Sequence, residues 1–142
     1  MMSGIRSRHT KPELVVRSGL HRRGFRFSLH KKGLKGTPDL VLPKHNAVIF
    51  VHGCFWHGHD CKFFRPPSSN RNFWKKKFER NQFTDITARR ALADAGWRVA
   101  IVWECSFRGV QDKATARALD RIALWLTSDR KLLEVRGENS KR

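Results

Sequence analysis

Apolar residues recur along the chain with two different periods, and each change of period marks a passage between a helix and a strand. The stretch from Thr10 to Glu13 carries the signals of a helix start. Thr10 can cap the first turn, Pro12 is tolerated inside it, and Glu13 completes a capping box. A glycine at position 24 indicates the end of this helix. Over 25–30, apolar and polar residues then alternate, which is typical of a half-buried strand.

Two later runs, 47–51 and 98–103, are almost wholly apolar and predict strands that are buried on both faces. A long, strongly charged helix is predicted between them, over 72–95. A strand, a helix and a second strand in this order favour a right-handed crossover and parallel pairing. A further strand is predicted over 39–42. It lies close enough in sequence to the strands on either side of it to form an antiparallel meander with them.

A last amphipathic helix is predicted over 112–127, which completes the order α-β-β-β-α-β-α. The pattern therefore predicts an α/β fold, with a mixed central sheet flanked by helices. A length of 142 residues suits a single domain. We expect this domain to span 1–130, with 1–9 as a mobile N-terminal arm and 131–142 as a basic, polar tail. Four tryptophans are predicted to lie in the core: Trp74, Trp97, Trp103 and Trp125.

Charge narrows the choice of partner. Thirty Lys and Arg against twelve Asp and Glu leave a net charge of +18. Such an excess favours a polyanion, and nucleic acid is the first candidate. A membrane surface is the weaker alternative, because no long basic amphipathic helix stands apart from a core pattern. The basic cluster at 75–80 is either a solvated helix face or a phosphate-binding surface, and the overall charge favours the second interpretation.

The absence of membrane-span and secretory signals indicates the compartment of the protein and the chemistry of its cysteines. No run approaches the ~20 apolar residues of a membrane span. No charged start followed by an apolar stretch marks a secretory signal, so we expect a cytoplasmic protein. The cysteine count is three. An odd count without an export signal argues against a disulfide framework and favours metal ligation or buried thiols.

The densest chemistry lies in the segment 52–61, where three histidines and two cysteines fall together. Cys54, His59 and Cys61 are spaced C-x4-H-x-C, and Cys105 follows the last predicted core strand. Zinc prefers four thiolate and imidazole ligands, which this set would supply. The spacing is not a standard zinc-finger pattern, however. Two interpretations therefore stay open: a zinc site, or small buried thiols that pack as apolar groups.

His52 and His57 remain outside that set. A lone histidine is usually a satisfied core residue, but two at the end of a buried strand beside a candidate metal favour catalysis. Asp39 opens the second strand. It either binds a hard cation such as Mg²⁺ or terminates the preceding turn. The cap explains Glu13 sufficiently, unless its helix directs the carboxylate towards Asp39.

Several stretches together resemble the very short patch repair (Vsr) family of DNA mismatch endonucleases. They cover roughly 2–108 in the family's order, and the most specific are 48–61 and 103–105. The resemblance implies a restriction-endonuclease-like core of the PD-(D/E)XK superfamily. It also implies nicking of one DNA strand next to the thymine of a T:G mismatch, which arises when 5-methylcytosine deaminates. Mg²⁺ would serve the chemistry, and Zn²⁺ the structure.

The resemblance assigns roles residue by residue. Asp39 matches the aspartate that holds the catalytic Mg²⁺. Val51 stands where well-known members have Thr, at a position that can bind the metal through its backbone carbonyl. His57 matches the histidine that activates water, and His52 the one beside the phosphate. Glu13 matches an acidic helper near the site.

The other matched positions concern zinc and DNA. The structural zinc ligands would be Cys54, His59, Cys61 and Cys105. The matched DNA contacts are of three kinds: aromatic wedges into the base stack, a methionine inserted from the minor groove, and polar side chains near the mismatched pair. The aromatic wedges would be Phe55 and Trp56. The inserted methionine would be Met2, and the polar side chains would be Lys77 and Asn81.

The leading hypothesis is thus a monomeric, Mg²⁺-dependent endonuclease that nicks duplex DNA at T:G mismatches, with mismatch-repair proteins as candidate partners. One alternative is a related nuclease with another DNA substrate. The other is a zinc-stabilised DNA-binding module without catalysis. Such a module would need none of Asp39, His52 and His57, which argues against it.

Overall fold

The computed structural model describes residues 10–61, 64–107 and 111–137. The predicted N-terminal arm, with Met2, lies outside these ranges. Among the described helices, none has the length and apolar character needed to cross a membrane. The elements in chain order are α1 (Lys11–Arg22), β1 (Ser28–Leu29), β2 (Leu40–Leu42), a 3-10 turn (Pro43–His45), β3 (Ala47–His52), α2 (Arg71–Asp94), β4 (Arg98–Trp103), a second 3-10 turn (Glu104–Phe107), α3 (Gln111–Leu126) and β5 (Leu132–Val135).

The five strands form one mixed sheet in the order β1-β2-β3-β4-β5. Antiparallel pairing joins β1 to β2 and β2 to β3, as the meander predicted from the sequence requires. β3 and β4 are parallel and in register, with His52 opposite Trp103 at their carboxyl ends. The predicted parallel pairing of the two strands joined by the long helix is therefore confirmed. The mixed sheet and its helices are consistent with a restriction-endonuclease-like fold.

Each face of the sheet has its own core, because side chains alternate along β3 and β4. One face packs against α1 and α3 through Val16, Leu20, Ile49, Val102, Ile122 and neighbouring apolar residues. The other face packs against α2 through Val41, Val48, Phe50, Ala88, Leu92, Val99 and Ile101. Trp125 is buried as predicted, whereas Trp74, Trp97 and Trp103 are only half-buried. Three of the four tryptophans therefore lie at the margin of the core.

The fifth strand corrects the prediction of a polar tail over 131–142. β5 pairs in parallel with β4, from Val99 opposite Leu132 to Val102 opposite Val135. Only Val135 of this strand is fully buried, because β5 lies at the edge of the sheet. A four-residue edge strand between charged neighbours gives little hydrophobic periodicity, so the sequence pattern did not reveal it.

The first strand is shorter than predicted. Alternation over 25–30 predicts a strand of that length, but only Ser28–Leu29 pairs with β2. His30 adopts a left-handed backbone conformation, with φ of 44°. This conformation ends the ladder and turns the chain away from the sheet. Phe25 and Phe27 still pack against the core beside α1 and α3, which explains their apolar alternation.

Arg98, the first residue of β4, ties three segments of the chain together. Its guanidinium donates to the carbonyls of His45, at 2.8 and 3.2 Å, and of Arg130, at 3.1 Å. It also donates to Trp125 and Leu126 at the end of α3, at 3.1 and 3.0 Å. A guanidinium suits this task because its five donors are fixed in one plane.

Arg98→Met should therefore lower the free energy of unfolding by about 2–4 kcal/mol, because the carbonyls lose charge-assisted bonds. The matched control is Arg130→Met, which removes an exposed side chain and should stay within about 0.5 kcal/mol of the parent. Urea denaturation of the three proteins measures both effects. Equal midpoints for Arg98→Met and the parent would show that these bonds contribute nothing net.

Candidate active site and metal centre

Four soft ligands meet where the carboxyl ends of β3 and β4 lie side by side. They are the side chains of Cys54, His59, Cys61 and Cys105, all buried, with ligand atoms within 4.8 Å of one another. His59 Nδ1 lies 3.4 Å from Cys54 Sγ and 3.6 Å from Cys105 Sγ. Tetrahedral zinc separates a sulfur and a nitrogen ligand by about 3.6 Å. The donor set and its spacing therefore fit zinc.

Local structure brings these ligands together. A tight turn follows β3, and the N–H of His59 donates to the carbonyl of Cys54 at 2.9 Å. Cys105 follows β4, whose parallel pairing with β3 places it beside the turn. The N–H of Gly137 then donates to Cys105 Sγ at 3.2 Å. A Cβ at position 137 would lie 2.8 Å from the carbonyl oxygen of Cys105, so only glycine allows this approach.

The thiol of Cys105 is prepared to ionise. Its hydrogen bond with Cys54, and further bonds from His59 and Gly137, hold the pKa of Cys105 below its usual value. Burial opposes this shift but does not outweigh it. The same hydrogen bond, followed by burial, raises the pKa of Cys54, so without a metal only one thiol of this pair is favoured as the thiolate that binds zinc.

A second group joins the two remaining histidines to an aspartate of α2. His57 Nδ1 lies 2.5 Å from Asp85 Oδ2, and His52 Nε2 lies 3.9 Å from Asp85 Oδ1. The two imidazole rings stack at 4.1 Å with an interplanar angle of 9°. An Nδ1–H donated to a carboxylate leaves Nε2 of His57 as the basic nitrogen. This is the arrangement of a general base oriented by a carboxylate.

The environment keeps His52 uncharged. Burial, followed by the nearby charges of His57 and Arg89, lowers the pKa of His52 well below its usual value. Sequence reasoning missed Asp85, because nothing local distinguishes it within a charged helix. Its role appears only when α2 is packed across the carboxyl end of β3.

A third group gathers two carboxylates around a histidine. Glu13 Oε2 lies 2.8 Å from His30 Nε2 and 2.5 Å from Arg17 Nη2, and His30 Nε2 lies 3.6 Å from Asp39 Oδ1. The N–H of Glu13 donates to Thr10 Oγ1 at 3.4 Å, so the cap exists. The carboxylate of Glu13 is nevertheless turned inward towards Asp39. The structure thus favours the second interpretation of Glu13, and it adds His30, which the sequence had placed only in a strand.

Asp39 sits where a divalent cation can be held by oxygen. Its Oδ2 accepts a hydrogen bond from the N–H of Val51 at 2.7 Å. The carbonyl and N–H of one strand residue face the same neighbour, so the Val51 carbonyl faces the Asp39 side as well. Burial raises the pKa of Asp39 to about 7. Two carboxylates and a carbonyl are donors that hard divalent cations prefer, so these residues fit a divalent metal.

Two of the predicted DNA contacts, Phe55 and Trp56, belong to an aromatic cluster with Trp74 and Phe78. The Phe55 ring lies 5.2 Å from Trp56 and Trp74 and 5.4 Å from Phe78. An extended segment would place adjacent aromatics on opposite sides. The turn after β3 instead brings both rings into one half-buried cluster. Trp74, assigned to the core from sequence, belongs to this cluster too.

α2 also holds the backbone of that turn. Asn81 Nδ2 donates to the carbonyl of Trp56 at 2.6 Å, and Gln82 Nε2 donates to the carbonyl of His57 at 2.6 Å. Lys77 is half-buried one turn earlier on the same helix. Asn81 therefore lies beside the predicted wedge, although its amide donates to the protein backbone here.

Trp103 separates the soft ligands from the two histidines. Its ring stacks on His59 at 3.8 Å with an angle of 3°, and it meets His52 and His57 edge-on at 5.1 and 5.8 Å. Trp103 Nε1 donates to Glu134 Oε2 of β5 at 2.7 Å. β5, the strand that the sequence analysis missed, thus orients the Trp103 ring that separates the soft ligands from the two histidines.

Taken together, paired carboxylates, an imidazole oriented by a carboxylate and a strongly basic chain are the parts of a hydrolase that acts on nucleic acid. A sequence model of the family described as DNA mismatch endonuclease Vsr matches residues 1–63. The nicking enzyme V.XorIIP of Xanthomonas oryzae is 51% identical over 105 residues, 74% of this chain and 77% of the relative. The DNA mismatch endonuclease Vsr of Escherichia coli is 39% identical over 129 residues, 90% of this chain and 82% of the relative.

A third relative, the nicking enzyme V.NmeAIP of Neisseria meningitidis, is 43% identical over 108 residues, 76% of this chain and 77% of the relative. The chain belongs to the Vsr family of DNA mismatch endonucleases. The prediction of a DNA endonuclease of this family is therefore confirmed, and the non-catalytic module is excluded. A divalent metal at the nuclease site agrees with the family and with the donors around Asp39.

Proposed function

We propose that this enzyme nicks one strand of duplex DNA next to the thymine of a T:G mismatch, using Mg²⁺ bound by Asp39 and the Val51 carbonyl. The observation that carries the proposal is the His57–Asp85 pair, at 2.5 Å. His57 stacks on His52, and His52 follows Val51, whose N–H donates to the half-buried carboxylate of Asp39. Phosphodiester hydrolysis needs a base for water and positive charge for the phosphate oxygens. These residues supply the first and hold the cation that supplies the second.

The two histidines have different roles at the phosphate: His57 is the general base, and His52 binds the phosphate. His57 takes the proton of the attacking water at Nε2, while Asp85 fixes its tautomer and stabilises the imidazolium that forms. His52, which stays neutral, lies beside the phosphate and can donate one hydrogen bond to it. Glu13 and His30 hold the carboxylate of Asp39 in place. Mg²⁺, when bound, stabilises charge on the attacking and leaving oxygens.

Zinc has a structural role in this proposal. Four protein ligands leave no open coordination position, whereas catalytic zinc normally keeps one for water. Cys54, His59 and Cys61 belong to the turn that carries His57, and Cys105 anchors that turn to the end of β4. The metal would thus fix the base and the wedge relative to the sheet.

Mismatch selection rests on the aromatic cluster. A wobble pair is easier to unstack than a Watson–Crick pair, so a wedge costs less there. Phe55 and Trp56 are half-buried and supported by Trp74. Lys77 and Asn81 would meet the mismatched pair from the same helix, and Met2 would enter from the minor groove. We further propose a monomer that acts on DNA in the bacterial cytoplasm alongside mismatch-repair proteins.

A nicking assay tests the proposal directly. Duplexes that differ only in a T:G or a T:A pair are incubated with the protein, with Mg²⁺ or with EDTA. We expect strand-specific nicking of the T:G duplex with Mg²⁺ only. Equal nicking of both duplexes would favour the alternative of a related nuclease with another DNA substrate. Nicking that persists in EDTA would contradict the assigned metal.

The protonation of Asp39 predicts that the apparent affinity for Mg²⁺ depends on pH. Burial raises its pKa to about 7, and a metal ligand must be ionised, so protons compete with Mg²⁺ below that pH. The apparent Mg²⁺ affinity should rise with pH and level off above about 7. Half-saturation of nicking should need roughly tenfold more Mg²⁺ near pH 6 than near pH 8. The half-saturating concentration is compared, because the maximal rate also depends on His57. Equal half-saturation at both pH values would argue against Asp39 as the ligand.

A further inference from the structure

Arg89 faces the cavity that contains the two histidines. This cavity has a volume of about 370 Å³, and its lining includes His52, His57, Asp85, Arg89, Glu134 and Arg136. Asp85 and Arg89 stand four residues apart on α2, so their side chains emerge on the same helix face. Arg89 therefore lies about 6 Å further along the helix axis than the carboxylate that orients His57.

The acidic groups of the cavity already have partners. Asp85 binds His57, and Glu134 accepts the Trp103 N–H at 2.7 Å. Asp60 binds Arg136 at 2.5 Å, so the cavity's second guanidinium is held by a carboxylate. In the described parts of the chain, by contrast, Arg89 forms no hydrogen bond or ion pair with another residue. The half-buried Arg89, which lines the cavity, is thus left without a carboxylate partner among the described residues.

We propose that Arg89 binds a phosphate of the strand that is nicked and so holds this strand against His52 and His57. A guanidinium presents two parallel N–H donors that match two phosphate oxygens, and a partly desolvated site strengthens such a bond. The role rests on the proposed nuclease function, because it assigns the cavity to the DNA backbone. It adds a binding residue on α2 to the catalytic pair, one helical turn from Asp85.

Arg89→Met tests this role, because it keeps the length of the side chain and removes its charge. Arg90→Met is the matched control: it makes the same change on the next residue of the helix, which is exposed. We expect Arg89→Met to bind a T:G duplex without added Mg²⁺, and with the zinc retained, about 10–100-fold more weakly than the parent. The slope of log affinity against log salt should fall in magnitude by about 0.9. Arg90→Met should stay within about threefold in affinity and keep the parental slope.

Arg89→Lys tests separately the positive charge of the side chain and the bidentate hydrogen bonding of the guanidinium. It retains a point charge, so the salt slope should stay parental, but loss of bidentate geometry should still weaken binding several-fold. Thermal unfolding shows whether each variant is folded. If Arg89→Met does not fold, Arg89→Lys decides: a folded lysine variant with parental affinity overturns the proposal. If both variants fold, an affinity of Arg89→Met equal to that of Arg90→Met overturns it.

The same experiment keeps the two proposals apart. Binding is measured without Mg²⁺, and single-turnover nicking is measured separately with it. A parent protein that does not nick the T:G duplex contradicts the proposed function, whatever Arg89 does. A parent that nicks, together with an Arg89→Met variant that binds and nicks at the parental level, contradicts the role of Arg89 alone.

Discussion

Replacing His57 with alanine should slow nicking of a T:G duplex by about 10²–10⁴-fold, the usual contribution of a general base. The reason is the short contact between His57 Nδ1 and Asp85 Oδ2, at 2.5 Å, which leaves Nε2 as the proton acceptor. Binding of the mismatched duplex should remain near parental, because the aromatic cluster and the basic surface are unchanged. Single-turnover nicking and fluorescence anisotropy measure the two properties separately.

Asp39→Ala should abolish nicking at ordinary Mg²⁺ concentrations, for a different reason from the slowing in His57→Ala. This variant lacks the metal anchor, so a large excess of Mg²⁺ should restore a trace of activity. His57→Ala keeps the anchor, and added Mg²⁺ should not help it. His21→Ala and Asp94→Ala are the matched controls, because both replace exposed residues, and they should nick at the parental rate.

If His57 were only a packing residue, its loss would instead lower stability and binding together. Thermal unfolding and zinc content of the variant separate this case from a catalytic one. A folded, zinc-replete His57→Ala protein that nicks at the parental rate would remove His57 from the mechanism.

The interior strands of the sheet could be predicted from sequence with nearly their observed bounds, whereas one edge strand was predicted too long and the other was missed. The strands predicted over 47–51 and 98–103 are found at Ala47–His52 and Arg98–Trp103. Both are covered on two faces, so nearly every residue is apolar and the pattern is strong. β1 and β5 lie at the edges and bury few residues. β1 ends where His30 turns the chain, and β5 pairs with β4, which is distant in sequence, so the local hydrophobic pattern does not indicate either feature.

The same distinction applies to the candidate site. The soft ligands lie mostly within one ten-residue segment, so their spacing alone marks them as candidate metal ligands. Asp85 and His30, by contrast, lie in local sequence that carries no such signal. α2 brings Asp85 to His57, and the left-handed turn at His30 brings it between Glu13 and Asp39. Residues whose role arises only from packing of separate elements could not be found from composition or spacing.

Loss of the zinc site should have the largest effect on stability. We expect one tightly bound zinc per chain, and Cys105→Ala should remove it, because only three ligands would remain. The binding free energy of structural zinc is folding free energy, so the variant should be largely unfolded or strongly destabilised. Atomic emission measures the metal, and urea denaturation measures the stability.

The control for this variant must be destabilised without touching the metal. Val135→Ala meets the requirement: Val135 is 1% exposed, on the strand that leads to Gly137, and it supplies no zinc ligand. Removing its buried methyl groups should cost about 1–3 kcal/mol yet leave one zinc per chain. Cys105→Ala should lose both metal and structure, and a chelator should have the same effect on the parent. Parent protein that contains no zinc, with a Cys105→Ala variant as stable as the parent, would show that the three cysteines are buried thiols and that packing alone holds the turn.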